Sequence, residues 1–166
     1  DKCPTVFGEK DNNGCPYTDT DGDKVLDKDD KCPEVVGTIE NFGCPVIDTK
    51  AIKKLNDYSK SILFDSGKAT IKTDSYVTLD AMAEIMKEYE ATNFSIEGHT
   101  DNVGKPENNI ELSAERALAI KTYLISKGIN ANRLNSQGFG AAKPITSNKT
   151  TAGKAANRRV EIKVVQ

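Results

Sequence analysis

Past "VIDTK" (46–50) the chain carries clear hydrophobic periodicity. "SILFD" (61–65) is a short apolar run and predicts a strand. From Thr73, an N-cap residue type, Tyr76, Leu79, Met82, Ala83, Met86 and Tyr89 recur at the spacing of one helical face. "FSIEGH" (94–99) alternates Phe94, Ile96 and Gly98 with Ser95, Glu97 and His99, which predicts a half-buried strand. A second helix runs to about Lys127, with Leu112, Ala117, Ile120 and Leu124 on one face and Gly128 as its stop. "RLNSQGFG" (133–140) predicts a further strand. "RRVEIKVV" (158–165), alternating Val160, Ile162 and Val164 with charges, closes the sheet. The order β-α-β-α-β-(α)-β predicts an α+β fold, a small mixed sheet with helices packed on one side. About 115 residues suffice for one such core.

The region before this follows other rules. Residues 1–50 hold 12 Asp and Glu against 6 Lys, and residues 51–166 hold 13 against 17 Lys and Arg. All four cysteines, Cys3, Cys15, Cys32 and Cys44, also lie in the first part. Two domains follow: an acidic, Cys-bearing segment (1–48) and a mildly basic main domain (49–166). "DKCPTVFGEKDNNGCP" (1–16) aligns with "DKCPEVVGTIENFGCP" (30–45) at a period of 29 residues. Of the three connectivities that four cysteines allow, the repeat makes Cys3–Cys15 with Cys32–Cys44 the simplest. Cys15–Cys32 would instead bracket the segment between the copies. Disulfides imply an oxidising compartment. Zinc is disfavoured, since there is no C-x-x-C pair and no nearby His.

Between the copies runs "DTDGDKVLDKDD" (19–30). Asp19, Asp21, Asp23 and Asp30 take positions 1, 3, 5 and 12 of a calcium loop, Asp27 takes position 9, and Val25 offers its carbonyl at position 7. The alternative is a solvated acidic linker. Six Asp within twelve residues repel one another without a cation, so Ca2+ is the expected cofactor. Lys24 departs from the EF-hand pattern, because it stands where that loop prefers Gly. The acidic loop, "DKCP" and the later "GCP" resemble the thrombospondin type 3 repeat over residues 1–45. The resemblance implies an irregular spacer stabilised by disulfides and calcium, with Asp1 as the last ligand of a preceding loop.

"GHTDNVG" (98–104) sets Asp101 directly after a strand, in a turn that Gly98 and Gly104 permit. Ser113 is a good N-cap candidate, which would put Arg116 in the first turn of the second helix. There the macrodipole disfavours a cation by a few tenths to ~1 kcal/mol. A bound carboxylate would remove that conflict. With an ammonium on Asp101, the pair would suit a zwitterionic ligand. The competing reading is an internal Asp101–Arg116 salt bridge in an ordinary turn.

"IEGHTDNVG", "NIELSAERALAIKTYLISKGI", "GFGAAKP" and "NKTTAGKAANRRVEIKV" resemble the OmpA C-terminal domain family over residues 58–165. The family motif NxxLSxxRA stands here as Asn109, Leu112, Ser113, Arg116 and Ala117. The resemblance implies non-covalent binding of peptidoglycan, with Asp101 and Arg116 on the free amino and carboxyl groups of diaminopimelate. It adds Asn109 as a lining residue, Thr100 in the turn, and Asn157 and Arg159 near the ligand. It also implies the periplasmic portion of an outer-membrane protein. The opening at "DKCP", in the middle of a pattern, reads as a fragment whose missing upstream region meets the outer membrane.

Other classes fit less well. No stretch reaches the ~18–20 apolar residues of a membrane span. The main domain has no basic run with interleaved aromatics, which argues against nucleic acid. An enzyme built on His99, the only histidine, fails because the alternation puts His99 on the strand face opposite Phe94 and Ile96. The remaining rival is a calcium-dependent structural, adhesion or assembly module without cell-wall affinity. A homodimer is compatible with either reading.

Overall fold

The computed structural model describes residues 2–165, so Asp1 and its expected ligand role lie outside the described residues. The chain divides into two compact units, the first taking the residues up to Val46 together with Glu88–Ala91, the second Ile47–Lys87 and the residues from Thr92 on. The first has no extended helix or strand. It is built from turns, two short 3-10 segments (Lys10–Asn12 and Ile39–Asn41) and an isolated bridge between Glu9 and Cys15. Both disulfides close within their own repeat copy, Cys3–Cys15 and Cys32–Cys44, each with 5.0 Å between Cα atoms. Asn12 and Asn41 mark the repeat in three dimensions. Each donates from Nδ2 to the carbonyls of the following Cys and Pro, at 3.0–3.1 Å.

The second unit runs α1 (Thr49–Lys60), α2 (Ser75–Glu88), β1 (Asn93–Gly98), α3 (Pro106–Ser126), β2 (Leu134–Gly138), α4 (Thr151–Asn157) and β3 (Val160–Val165). The sheet has the order β2-β1-β3, with β2 parallel and β3 antiparallel to the central strand. It is the mixed α+β arrangement that the periodicity predicts. The register stacks Phe94 between Leu134 and Val164, Ile96 between Ser136 and Ile162, and Gly98 between Gly138 and Val160. Phe94, Ile96, Leu134, Val160 and Ile162 meet Leu79, Met82 and Met86 of α2, Ala117, Ile120 and Leu124 of α3, and Leu55 of α1 in one apolar core.

Three local expectations need correction. "SILFD" forms no strand: Phe64 makes one isolated bridge to Ile71, and the segment closes a turn through Asp65 N–H to Thr70 O at 2.9 Å. α1 was not anticipated, although Asp48 caps it by accepting from Ala51 N–H at 2.7 Å, and Ala51, Leu55 and Ser59 recur every four residues on its buried side. α3 starts at Pro106, not Ser113, because Pro at the first helical position is pre-set for helix and has no N–H to leave unpaired. Ser113 is therefore fully buried in mid-helix. Among the described residues no helix is long and apolar enough to cross a membrane.

The buried stripe of α3 is polar in its first half (Asn109, Ser113, Arg116) and apolar in its second (Ala117, Ile120, Leu124). The polar half can sit on the sheet because the strands offer glycine there. A Cβ on Gly98 would overlap the Ser113 carbonyl oxygen, and one on Gly138 would overlap backbone atoms of Ala114 and Ile110. Ser113 Oγ, donating to Ile110 O and accepting from Gly140 N–H, both at 2.9 Å, ties the helix to the end of β2. Gly138→Ala is expected to lower the unfolding free energy by about 1–3 kcal/mol, by forcing helix and sheet apart. Urea denaturation at an unchanged m-value is the check.

Candidate functional site

Arg116 is the eleventh residue of α3, so the macrodipole does not act on it as a first-turn charge. Its setting is more telling. The residue is only 9% exposed. Nε donates to Lys68 O at 2.9 Å, Nη2 reaches Asp65 O at 3.5 Å, and the guanidinium lies over the Phe64 ring at 5.0 Å. The turn that the apolar run had suggested as a strand is thus the seat of this side chain. No carboxylate of the described residues ion-pairs with Arg116. Burial and the nearby Arg158 charge lower its pKa, and the Asp101 charge opposes them.

Asp101 sits in the loop between β1 and α3 and is buried. Its Oδ1 accepts from Val103 N–H at 2.9 Å, and its Oδ2 accepts from Arg158 Nη1 at 2.6 Å. The internal salt bridge weighed against ligand binding is therefore made, but with Arg158 rather than Arg116. Burial pushes the Asp101 carboxyl up; the Val103 N–H and the Arg158 guanidinium more than offset this and hold it below its ordinary value. Asn109 pins the loop, donating from Nδ2 to Val103 O at 3.1 Å and Asp101 O at 3.4 Å. Thr100 fastens it too, through its N–H to Gly140 O at 2.9 Å and its hydroxyl to Asp101 O at 2.8 Å. A cleft of about 310 Å3 flanks the loop, lined by residues that include Asn102, Gly104, Asn109, Ile110 and Phe139.

A profile of the OmpA family matches residues 63–158, more than half of the chain and the whole of this constellation. The chain belongs to the OmpA family. Outer membrane protein A of Bordetella avium is 40% identical over 108 residues, covering 65% of this chain and 56% of that protein. The peptidoglycan-binding protein ArfA of Mycobacterium bovis is 38% identical over 103 residues, covering 62% of this chain and 32% of that protein. The chain thus spans about half or less of these curated relatives. In three dimensions, the peptidoglycan-associated lipoprotein from Burkholderia pseudomallei superposes with a TM-score of 0.59 at 25% identity, covering 63% of this chain and 88% of the other.

Within this OmpA-family domain the expected residues fall into two groups. Asp101, Arg116, Asn109 and Thr100 build one neighbourhood. Asn157 and Arg159 serve the 143–148 loop instead. Asn157 is fully buried: its Oδ1 accepts from the Ile145 and Thr146 N–H groups, and its Nδ2 donates to Thr146 O and Asn148 Oδ1, at 2.9–3.2 Å. These four bonds use the whole amide. Arg159 is bound by Glu161 Oε1 at 2.6–2.7 Å and by Lys143 O at 3.2 Å. Arg158, between them, was missed. Its only sequence signal is its place in "NRRVE", and its partner Asp101 lies 57 residues away.

In the first unit, Asp19, Asp21 and Asp23 converge, with carboxylate oxygens within 4.8 Å of one another. Asp21 Oδ2 and Asp30 Oδ2 are buried with no hydrogen-bond partner, as cation ligands would be. Burial raises the Asp21 pKa, the Asp23 N–H opposes this, and the charges of Asp23, Asp30 and Asp19 raise it further. Those four carboxylates suit a hard dication. Asp27 differs: it accepts from Thr20 N–H and from the Thr18 and Thr20 hydroxyls. Val25 is buried, with its N–H on Asp23 Oδ1 at 2.8 Å. Lys24 holds a left-handed φ of 78°, the conformation for which Gly would be preferred.

The Asp101–Arg158 pair has a pH signature. Because the folded carboxyl titrates below its ordinary value of 3.8, the pair's stabilisation is present above that value and lost as pH falls through the lower folded one. Asp101→Asn should therefore cost a constant amount, about 1–3 kcal/mol, between about pH 8 and 5, and progressively less below about pH 4. Chemical denaturation across this range reads it out. A difference that vanished near neutrality would mean the pair does not form.

Proposed function

We propose that the second unit binds peptidoglycan non-covalently, through the free amino and carboxyl groups of diaminopimelate in the stem peptide. Arg116 carries this reading: a buried guanidinium with backbone carbonyls and a ring as partners, close to a buried carboxylate that already has its own counter-ion. Arg116 and Arg158 together outweigh Asp101 by one positive charge, so the neighbourhood favours an arriving anion. The ligand carboxylate binds the guanidinium nitrogens of Arg116 that backbone oxygens leave available. The adjacent ammonium binds Asp101, as Arg158, 46% exposed at its side chain, yields or shares that oxygen. Asn109 and Thr100 keep the loop in shape, while Asn157 and Arg159 act at one remove by holding the chain around Arg158. The names of two relatives, a peptidoglycan-binding protein and a peptidoglycan-associated lipoprotein, support peptidoglycan as the ligand.

No bond is made or broken on this reading; the protein is an anchor and not an enzyme. One pocket binds weakly, and many copies on one wall supply avidity. The working location is the periplasm, with a region outside this chain held at the outer membrane. The first unit is a thrombospondin type 3-like spacer, and Ca2+ held by Asp19, Asp21, Asp23 and Asp30 would neutralise its crowded carboxylates and stiffen it.

The protein should be retained on diaminopimelate-type sacculi and largely lost from lysine-type sacculi, whose stem lacks the distal carboxylate. Arg116→Ala should weaken retention on the first at least about tenfold. Retention on neither wall would favour the calcium-dependent assembly module instead, and equal retention on both would remove the distal carboxylate of diaminopimelate from the account. For the spacer, calorimetric titration should give Ca2+ binding that Asp21→Asn weakens by about tenfold or more. Unchanged heats would remove calcium from the account.

A further inference from the structure

The face of β1 and β3 turned away from the apolar core holds a second polar cluster that shares only Arg159 with the proposed anchoring. Glu97 and Glu161 lie directly opposite each other across the antiparallel pair, an arrangement that is destabilising for like charges unless a cation intervenes. Lys163 supplies that cation, its Nζ 2.7 Å from Glu97 Oε2 and 3.2 Å from Glu161 Oε2. Lys143 approaches Glu97 Oε2 at 3.7 Å, and Arg159 holds Glu161 by the other oxygen.

His99 completes the cluster. It is 1% exposed, stacked on Phe139 at 5.5 Å, and neither ring nitrogen has a hydrogen-bond partner. Its Nε2 points at Glu97 Oε2 from 3.8 Å. A buried imidazole without a partner for either nitrogen is costly to keep, unless one nitrogen has another use.

We propose that Glu97, His99 and Glu161 form a site for a divalent transition-metal ion such as Zn2+, in which the Lys163 ammonium stands in for the ion until displaced. The three ligand atoms lie within 4.8 Å of one another. Around a tetrahedral ion such atoms are roughly 3–3.5 Å apart, so a modest inward movement suffices. One imidazole and two carboxylates suit Zn2+, whereas Ca2+ and Mg2+ prefer oxygen alone. Lys163 and Lys143 are about half exposed and on long stems, so both can turn to water as a dication enters. Arg159 stays and fixes Glu161 with Oε2 facing the site.

His99 is the chain's only histidine, so its ring proton signals report on this site alone. The full chain, with Ca2+ in excess to occupy the acidic loop, is titrated with Zn2+ at neutral pH and followed by NMR. The ring signals should shift and saturate at one equivalent. Lys163→Met should bind several-fold tighter, because it removes the internal competitor. By calorimetry, His99→Gln should bind about tenfold or more weaker. Ring signals unmoved by millimolar Zn2+ in the wild-type chain overturn the proposal, as does His99→Gln binding Zn2+ as tightly as the wild type.

Discussion

The close seating of α3 on the sheet is the constraint on which the rest of the second unit depends. Helix and strands meet through Gly98, Gly138 and the buried Ser113, with no room for a methyl group between them. Small residues at this contact bring the helix axis near enough for one turn further to deliver Arg116 into the 64–68 turn and, on the same face, Asn109 under the Asp101 loop. A larger residue would push the helix out, and the polar half of its stripe would lose its partners together. Apolar packing of Ala117, Ile120 and Leu124 in the second half supplies the free energy that holds this polar half in place.

Charge sets what that geometry can do. Two guanidiniums share a neighbourhood with one carboxylate, and the carboxylate is claimed by the more exposed of the two. Arg116 is left buried and hydrogen-bonded, but not neutralised. A buried cation in that condition is costly in a purely structural role, where an apolar side chain of similar volume would serve as well or better. Binding an anion, as proposed, would give the cost a use. The half-exposed Arg158 keeps Asp101 satisfied without locking it.

The first unit reaches stability by other means. It has few buried apolar residues, Val25, Cys32 and Cys44 among them, and relies on two short disulfide loops and on asparagine side chains that bond the carbonyls of the second cysteine and the following proline in each copy. Units this small commonly need such covalent staples, because too little surface is buried to offset chain entropy. The carboxylates crowded between the repeats are the opposite of a core, and two of their oxygens are buried without a partner.

How much of this was legible in the sequence follows from the range of the interactions. Periodicity located α2, α3, β1 and β3, because burial on one face leaves a local trace every two or every three to four residues. The 29-residue repeat was enough to pair the cysteines, since each bridge closes over twelve residues. The motif around Asp101, Asn109 and Arg116 was visible for a similar reason: all three sit on one loop and the helix that follows it. The start of α3 was misread because Ser113 looks like a cap, and whether it caps or lies buried depends on glycines in two strands. Phe64, Asp65 and Lys68 as the seat of Arg116, and Arg158 as the partner of Asp101, lie about 50 residues from the groups they contact. Local sequence pattern determined most of the elements, the disulfides and the presence of a polar site. Tertiary packing alone decided which charges meet, because ion pairs and backbone clamps are made across chain separations that leave no periodic trace.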